Sequence, residues 1–388
     1  MNQSEIINRN LKLKRHMLSL AVPEAWKRNN YLVEESLSLM ESSKVWKDIR
    51  QVILVGHGTS YATAMNGEIY INRIAHVQAR ALPAYQFLKF MEDYLFIPKQ
   101  TLVIGISCSG NTASVVACLE QARQCGACTL SVSGEREGNC MKSAEWRIRT
   151  DAHVEYSVDA SAYTVSHLFL LYGIFRFSIF VGIKNAALAP SDGELWMERF
   201  VEVQQELAIL PDLFNRVAET CEQLLRYNEI RNLVVVGTGA NRGTAKESAL
   251  KISEFCWIFC ADEELEDFAH GRFRELDISV PLLILSPDEI TLAKTKDLLA
   301  GCDKSQTPVV VFTSCADDAV RKLATIVVDM PTISDEAMTP FMYVFPMWFI
   351  VYYLQQRKHG LVGAKRYDLY ATDVNFTLRF DSEGNRLK

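Results

Sequence analysis

Ser107-Cys-Ser-Gly-Asn-Thr112 places three hydroxyls and a glycine within six residues, directly before a helical stretch, Ala113 to Arg123. Backbone N–H groups at a helix start and the helix dipole favour an anion, and hydroxyls add donors in an arc around it. One hydroxyl suffices for ordinary N-capping, by Ser109 or Asn111, so the crowding points to phosphate binding. A second turn, Gly56-His-Gly-Thr-Ser-Tyr61, also precedes a helical pattern and can aim Thr59 and Ser60 at the same ligand. Neither this turn nor Gly237-Thr-Gly-Ala-Asn-Arg242 has the third glycine of a dinucleotide fingerprint, so a nicotinamide or flavin is not expected. His57 reads as a turn residue with no assigned role.

Acid–base groups lie further along. In Glu247-Ser-Ala-Leu-Lys-Ile-Ser-Glu-Phe-Cys-Trp257, read as one helix, Lys251 and Glu254 are three apart and share a face. Such pairs usually sit in solvent. Here Ala249, Leu250, Ile252, Phe255 and Cys256 leave little solvent face, and a charged pair kept in apolar surroundings points to function. After an acidic segment, His270 stands in a loop before Gly271. A lone histidine there is ordinarily a surface residue. The loop Ser286-Pro-Asp-Glu-Ile-Thr291, which matches the phosphate turn in position, carries two acids and would repel a phosphate.

These groups are positioned by a duplicated architecture. Gln51-Val-Ile-Leu-Val-Gly-His-Gly58 matches Asn232-Leu-Val-Val-Val-Gly-Thr-Gly239, and the runs at 101–107, 128–133 and 147–150 match those at 281–286, 308–313 and 325–329. The constant offset marks duplication of a whole domain. Short runs of Val, Ile and Leu alternating with helix-length segments predict parallel sheets built from βαβ crossovers. The expected fold is therefore α/β, two doubly wound parallel-sheet domains, four strands each. Ligands bind beyond the carboxyl ends of such strands, where the candidate residues fall. The organisation read from the sequence is a helical lead-in at 1–50, a first domain at 51–190, a second at 191–358 and a tail at 359–388. Helical segments are expected over Ser19–Trp46 and Glu194–Tyr227, and a short strand within Phe376–Phe380.

Composition narrows the function. The 388 residues are 49% hydrophobic, with 41 Lys and Arg against 47 Asp and Glu, a net charge of −6. That balance argues against a nucleic-acid surface. The ten cysteines are scattered singly in apolar runs, the usage of reduced thiols in the cytoplasm. Cys125-Gly-Ala-Cys128 has redox spacing but ends a helix instead of starting one. Cys256 and Cys260 read as helix-spaced on a buried face with no second ligand pair, so no metal site is expected. Val165–Ile183 and Ala337–Leu354 are long enough to span a membrane but occupy matching places after each sheet, the pattern of buried core helices. No signal-peptide pattern opens the chain, and a cytoplasmic location is expected.

Gly58-Thr-Ser-Tyr61, Ser107-x-Ser-Gly-x-Thr112, Glu247-x-Ala-Leu-Lys-x-x-Glu254 and His270-Gly271 resemble the double SIS (sugar isomerase) domain family, and most closely the isomerase half of glucosamine-6-phosphate synthases. The resemblance runs from about Leu32 to Val374. It implies that Thr59, Ser60, Ser107, Cys108, Ser109 and Thr112 bind a sugar phosphate. It implies too that Glu254 moves a proton between C1 and C2, that Lys251 assists, and that His270 opens the sugar ring from a neighbouring subunit of a homodimer. No cofactor is implied. The chain departs from the family pattern at several points. Cys108 replaces a glutamine, Arg272 replaces a proline, Val158–Tyr163 lacks a lysine expected near the sugar, and the family's C-terminal lysine has no clear counterpart after Ala371–Val374. No glutamine-hydrolysing segment precedes the repeat, which favours breakdown of an amine-bearing sugar 6-phosphate. A deglycase that releases an amino acid and a non-catalytic sugar-phosphate sensor remain alternatives. The presence of Lys251 leans against the deglycase, and the absence of a basic helix-turn-helix in residues 1–50 leans against the sensor.

Overall fold

Two five-stranded, all-parallel sheets organise the computed structural model, which describes residues 3–134, 138–152, 165–226, 230, 232–360, 379–380 and 386–387. In chain order, helices α1 (Gln3–Ser19) and α2 (Lys27–Met40) lead into β1 (Gln51–Gly56) and α3 (Thr59–Ile74). There follow β2 (Gln78–Pro83), α4 (Ala84–Lys89), β3 (Thr101–Ser107), α5 (Ala113–Gln124), β4 (Cys128–Ser133), α6 (Asn139–Ser143) and β5 (Trp146–Arg149). Next come α7 (Val165–Lys184), α8 (Pro190–Glu206) and α9 (Leu210–Leu225). The second sheet opens with β6 (Asn232–Gly237), α10 (Asn241–Lys251), β7 (Phe259–Glu263) and α11 (Leu265–Ala269). It continues with β8 (Leu282–Leu285), α12 (Glu289–Ser305), β9 (Val309–Thr313), α13 (Asp318–Leu323), β10 (Ile326–Asp329) and α14 (Pro340–His359). A small antiparallel pair, β11 (Arg379–Phe380) and β12 (Arg386–Leu387), lies near the end.

The chain divides into two compact units. One is Glu24–Glu198; the other joins α1 and the segment to Pro23 with the chain from Arg199 through α14. In the first, the strand order is β2-β1-β3-β4-β5; in the second it is β10-β9-β8-β6-β7. Both obey one plan, with the first strand of the half beside the third, as a duplication requires. Each half carries five strands instead of four. The additions, β2 and β7, are edge strands with polar or half-exposed residues, Gln78-Ala-Arg-Ala-Leu-Pro83 and Phe259-Cys-Ala-Asp-Glu263. The central strands β1, β3 and β4 are almost wholly buried, because both faces are covered by helices.

The first core gathers Ile53, Val55, Val103, Val115, Leu119 and Phe87; the second gathers Val234, Val236, Ile284, Leu299 and Val311. Full burial of each such side chain stabilises by about 1.5–3 kcal/mol. Helix α7 is long and apolar enough to cross a membrane, yet 89% of its apolar window is buried within the protein. It packs on α3 so closely that a Cβ at Gly67 would stand 2.9 Å from Ile174. Trp26 closes edge-on against Phe169 of the same helix, ring centroids 5.3 Å apart. Helix α14 carries Pro346 inside and is likewise buried along most of its length.

Burial holds the Cys118, Cys128 and Cys140 thiols up to about 12, so they are inert protonated groups at neutral pH. Cys128 lies on β4 and its motif partner Cys125 follows the end of α5, as the sequence reading had it. Cys256 and Cys260 are not on one helix face: Cys260 is on strand β7. Among the described residues, no group of three or more His, Cys, Asp or Glu is arranged to hold a metal ion.

Candidate functional site

The anion turns of the first domain are built by sheet order. β1 and β3 are neighbours with Val55 opposite Gly105, so Gly56–Ser60 and Ser107–Thr112 leave the same end of the sheet side by side. The Ser107 and Thr112 hydroxyls meet at 3.0 Å. Gly110 takes φ +68°, the left-handed region that glycine tolerates, and packs so tightly that a Cβ on Gly138 would lie 2.9 Å from its Cα. The Cys140 N–H donates to the Gly110 carbonyl at 2.8 Å, and the Asn139 N–H donates to the Asn111 carboxamide at 3.0 Å. The loop is thereby clamped from behind. Cys108 is half-buried, with Sγ 3.6 Å from the Ala152 carbonyl. Thr59 is the first residue of α3, and Ser60 is buried beside it.

Ordinary capping does not account for these hydroxyls. Ser109 Oγ accepts from the Asn111 N–H at 3.3 Å, inside the loop, and Asn111 reaches α6. Thr112, the N-cap of α5, makes no side-chain bond to its first turn, and the N-cap of α3 is Gly58, which has no side chain.

The second domain repeats the geometry with its own carboxylates in place. Gly237 of β6 lies opposite Leu285 of β8, so α10 and α12 start side by side. Asp288 caps α12, accepting from the Thr291 N–H at 2.9 Å in a full capping box. Glu336, 96 residues away in sequence, accepts from the Ala240 N–H at 2.7 Å at the start of α10. Asp288, one of the two acids of the Ser286–Thr291 loop, thus caps α12, and Glu336 occupies the matching position at the neighbouring turn. Gly239 has φ +57°, and a Cβ there would stand 2.7 Å from Glu336 Oε1. Gly239→Ala should lower stability by about 1–2 kcal/mol, from the left-handed backbone and the displaced carboxylate together. Urea unfolding reads this as a lower midpoint at unchanged slope. An unchanged midpoint would show that the carboxylate contributes nothing at this turn.

The acid–base pair sits at the far end of α10. The helix ends at Lys251 and continues as a π-helical turn, Ile252–Cys256, before Trp257 at φ +55°. This differs from the single helix read from the sequence. A π turn inserts an extra residue and re-aims the side chains that follow it. Trp257 in the left-handed region is unusual for a bulky residue and marks a chain held by its surroundings. The Lys251 side chain is only 8% exposed; its Nζ lies 3.1 Å from Glu254 Oε2 and 4.0 Å from Glu247 Oε1. Glu247 is fully buried, whereas Glu254 is 25% exposed. The lysine thus stands between two carboxylates, of which Glu254 is the more open to solvent. The sequence reading gave Glu247 no role.

His270 follows the short helix α11, whose first turn is capped by Glu264. Burial alone would raise the Glu264 carboxyl, but the Thr238 hydroxyl and the backbone N–H groups of α11 hold it below its usual range. The His270 side chain is 72% exposed, with Nε2 3.0 Å from Glu266 Oε1. Its hydrogen bond goes to Glu266, while Lys251 and Glu254 bond to each other. Arg272 pairs with Glu263 and, at 3.3 Å, with Glu275. The lysine-lacking segment Val158–Tyr163 and Ala371–Val374 lie outside the described residues.

Solved structures share this fold. The C-terminal domain of glucosamine-fructose-6-phosphate aminotransferase from Francisella tularensis superposes with a TM-score of 0.73 at 18% identity, covering 89% of this chain and 95% of that one. Glucosamine-6-phosphate deaminase from Thermotoga maritima gives 0.61 at 18%, covering 87% and 95%. The SIS domain family model matches the sequence twice, over residues 47–174 and 227–355. The chain belongs to the SIS family. It is a double SIS protein, one domain on each parallel sheet. Among sequence relatives, glutamine–fructose-6-phosphate aminotransferase (isomerizing) of Aquifex aeolicus is 25% identical over 318 residues, 80% of this chain and 50% of the relative. The Thermococcus kodakarensis protein of the same description is 26% identical over 309 residues, 78% and 49%. This SIS chain spans about half the length of the curated relatives it matches.

Proposed function

We propose that this chain is a phosphosugar isomerase or deaminase that acts on an amine-bearing sugar 6-phosphate without a cofactor. The observation that carries the reading is the half-open Glu254 carboxylate, 3.1 Å from a buried ammonium, on a π turn. A partly open carboxylate is a suitable base for a carbon acid, and a cation at its side stabilises the oxyanion that forms. In the breakdown direction His270 opens the sugar ring. Glu254 removes the C2 proton, Lys251 stabilises the charge growing on the C1 oxygen, and the same carboxyl returns the proton to C1. The resulting C2 imine takes up water and releases ammonia, leaving a ketose phosphate. The Ser107–Thr112 and Gly58–Ser60 turns hold the phosphate. His270, exposed on its own chain, serves the site of a second copy.

The names of the relatives support the substrate class: an aminotransferase for fructose 6-phosphate and a deaminase for glucosamine 6-phosphate. The test is incubation with a panel of hexosamine 6-phosphates and fructosamine 6-phosphates, following ammonia and free amino acid separately. Ammonia release supports the reading; amino acid release instead makes the protein a deglycase; binding without turnover makes it a sensor.

The phosphate assignment has its own expectation. Ser109→Ala and Thr112→Ala each remove a charge-assisted bond worth about 1.5–3 kcal/mol. Affinity for the sugar phosphate should fall roughly tenfold or more, while that for the unphosphorylated sugar barely changes. Equal losses for both ligands in calorimetry would assign these hydroxyls to the fold alone.

A further inference from the structure

We propose that His57 and Ser114 form a latch that fixes the spacing of the two phosphate-binding turns, making His57 a positioning residue for the anion. The inference rests on the phosphate reading given above. His57 lies in the turn after β1; Ser114 lies in the first turn of α5, two residues past Thr112. His57 Nε2 and Ser114 Oγ are 2.8 Å apart. The link therefore spans the two arms that must converge on one ligand. The His57 carbonyl also accepts from the Ser60 N–H at 3.0 Å, so the residue that holds α5 also holds the start of α3.

A bond between exposed side chains contributes little to folding. Its effect lies in where it holds the donors. Anion binding by hydroxyls and backbone N–H groups depends on their convergence, and a loop shift of a fraction of an ångström lengthens several bonds at once. Surrounding protein partly desolvates the ring and draws its pKa below the usual histidine value, which keeps it a neutral hydrogen-bonding group at pH 7.

The test is a double-mutant cycle on the full chain, with inorganic phosphate and glucose 6-phosphate as probes in calorimetry. His57→Ala and Ser114→Ala should each weaken both probes about fivefold, and the double variant should be no weaker than either single one. His57→Gln, whose amide can still reach Ser114, should recover most of the loss. Thermal midpoints should stay within about a degree of wild type, since the bond is exposed. Independent, multiplying losses, or a His57→Ala variant with unchanged affinity, overturns the latch. Ser109→Ala is run in parallel. If it weakens phosphate binding while His57→Ala does not, the latch alone fails. If it too leaves binding intact, the phosphate site fails and the latch with it.

Discussion

Glu254→Gln should lower turnover by about 10²-fold or more while leaving sugar-phosphate affinity near wild type. The substitution keeps the size and shape of the side chain, and its amide oxygen can still accept from Lys251, whose Nζ now stands 3.1 Å away. Glu247 continues to face the same ammonium. What disappears is the negative charge and basicity that let the carboxylate take a carbon-bound proton. If the Ser107–Thr112 hydroxyls grip the phosphate as proposed, binding should not follow activity down. Steady-state kinetics on whichever hexosamine 6-phosphate the panel identifies, with calorimetry of the same ligand, separates the two. Near-normal turnover in this variant would remove Glu254 as the base.

Mixing two dead proteins should restore about a quarter of wild-type activity. If His270 serves the neighbouring subunit's site, a two-fold dimer has two identical sites, each built from both chains. Glu254→Gln and His270→Asn homodimers are then both inactive. Unfolded together and refolded, they pair at random, and about half the dimers are mixed. In a mixed dimer one site carries both lesions and the other neither, so half of the sites in half of the dimers work. The exposed His270 ring, which among the described residues pairs with the surface residue Glu266, suits such a role. A refolded mixture that stays inactive, while refolded wild type recovers fully, would confine His270 to its own chain.

The duplication and the central strands were legible because burial on both faces forces continuous runs such as Val52-Ile-Leu-Val55 and Leu233-Val-Val-Val236. The edge strands β2 and β7 were not. An edge strand keeps one side wet and carries Arg80 or Asp262 without penalty, so in sequence it looks like a loop. The clustering of Ser107, Ser109 and Thr112 was visible as composition, whereas the sheet order that lays it beside Thr59 and Ser60 appears only in the folded chain. The π turn left no trace, since Ile252, Phe255 and Cys256 satisfy an α-helical period as well as a π-helical one. Glu336 could not be found from its surroundings: its partner Ala240 is 96 residues away, and only the folded chain brings them together. His57 was seen but had no partner until Ser114 was placed.

The carboxylates of Asp288 and Glu336 make the two copies of one ancestral domain unequal in a way their backbones do not reveal. The second copy owns its counter-charge: it is covalently part of the chain and present at every ligand concentration. On the phosphate reading proposed above, the first copy would take its counter-charge from solution. Duplication would then have divided one property, responsiveness, between twins, with one half open to an anion from solution and the other already supplied by its own carboxylates. On the same reading, a half that needs no ligand to complete its turns would keep Lys251 and Glu254 in place whether or not its twin is occupied.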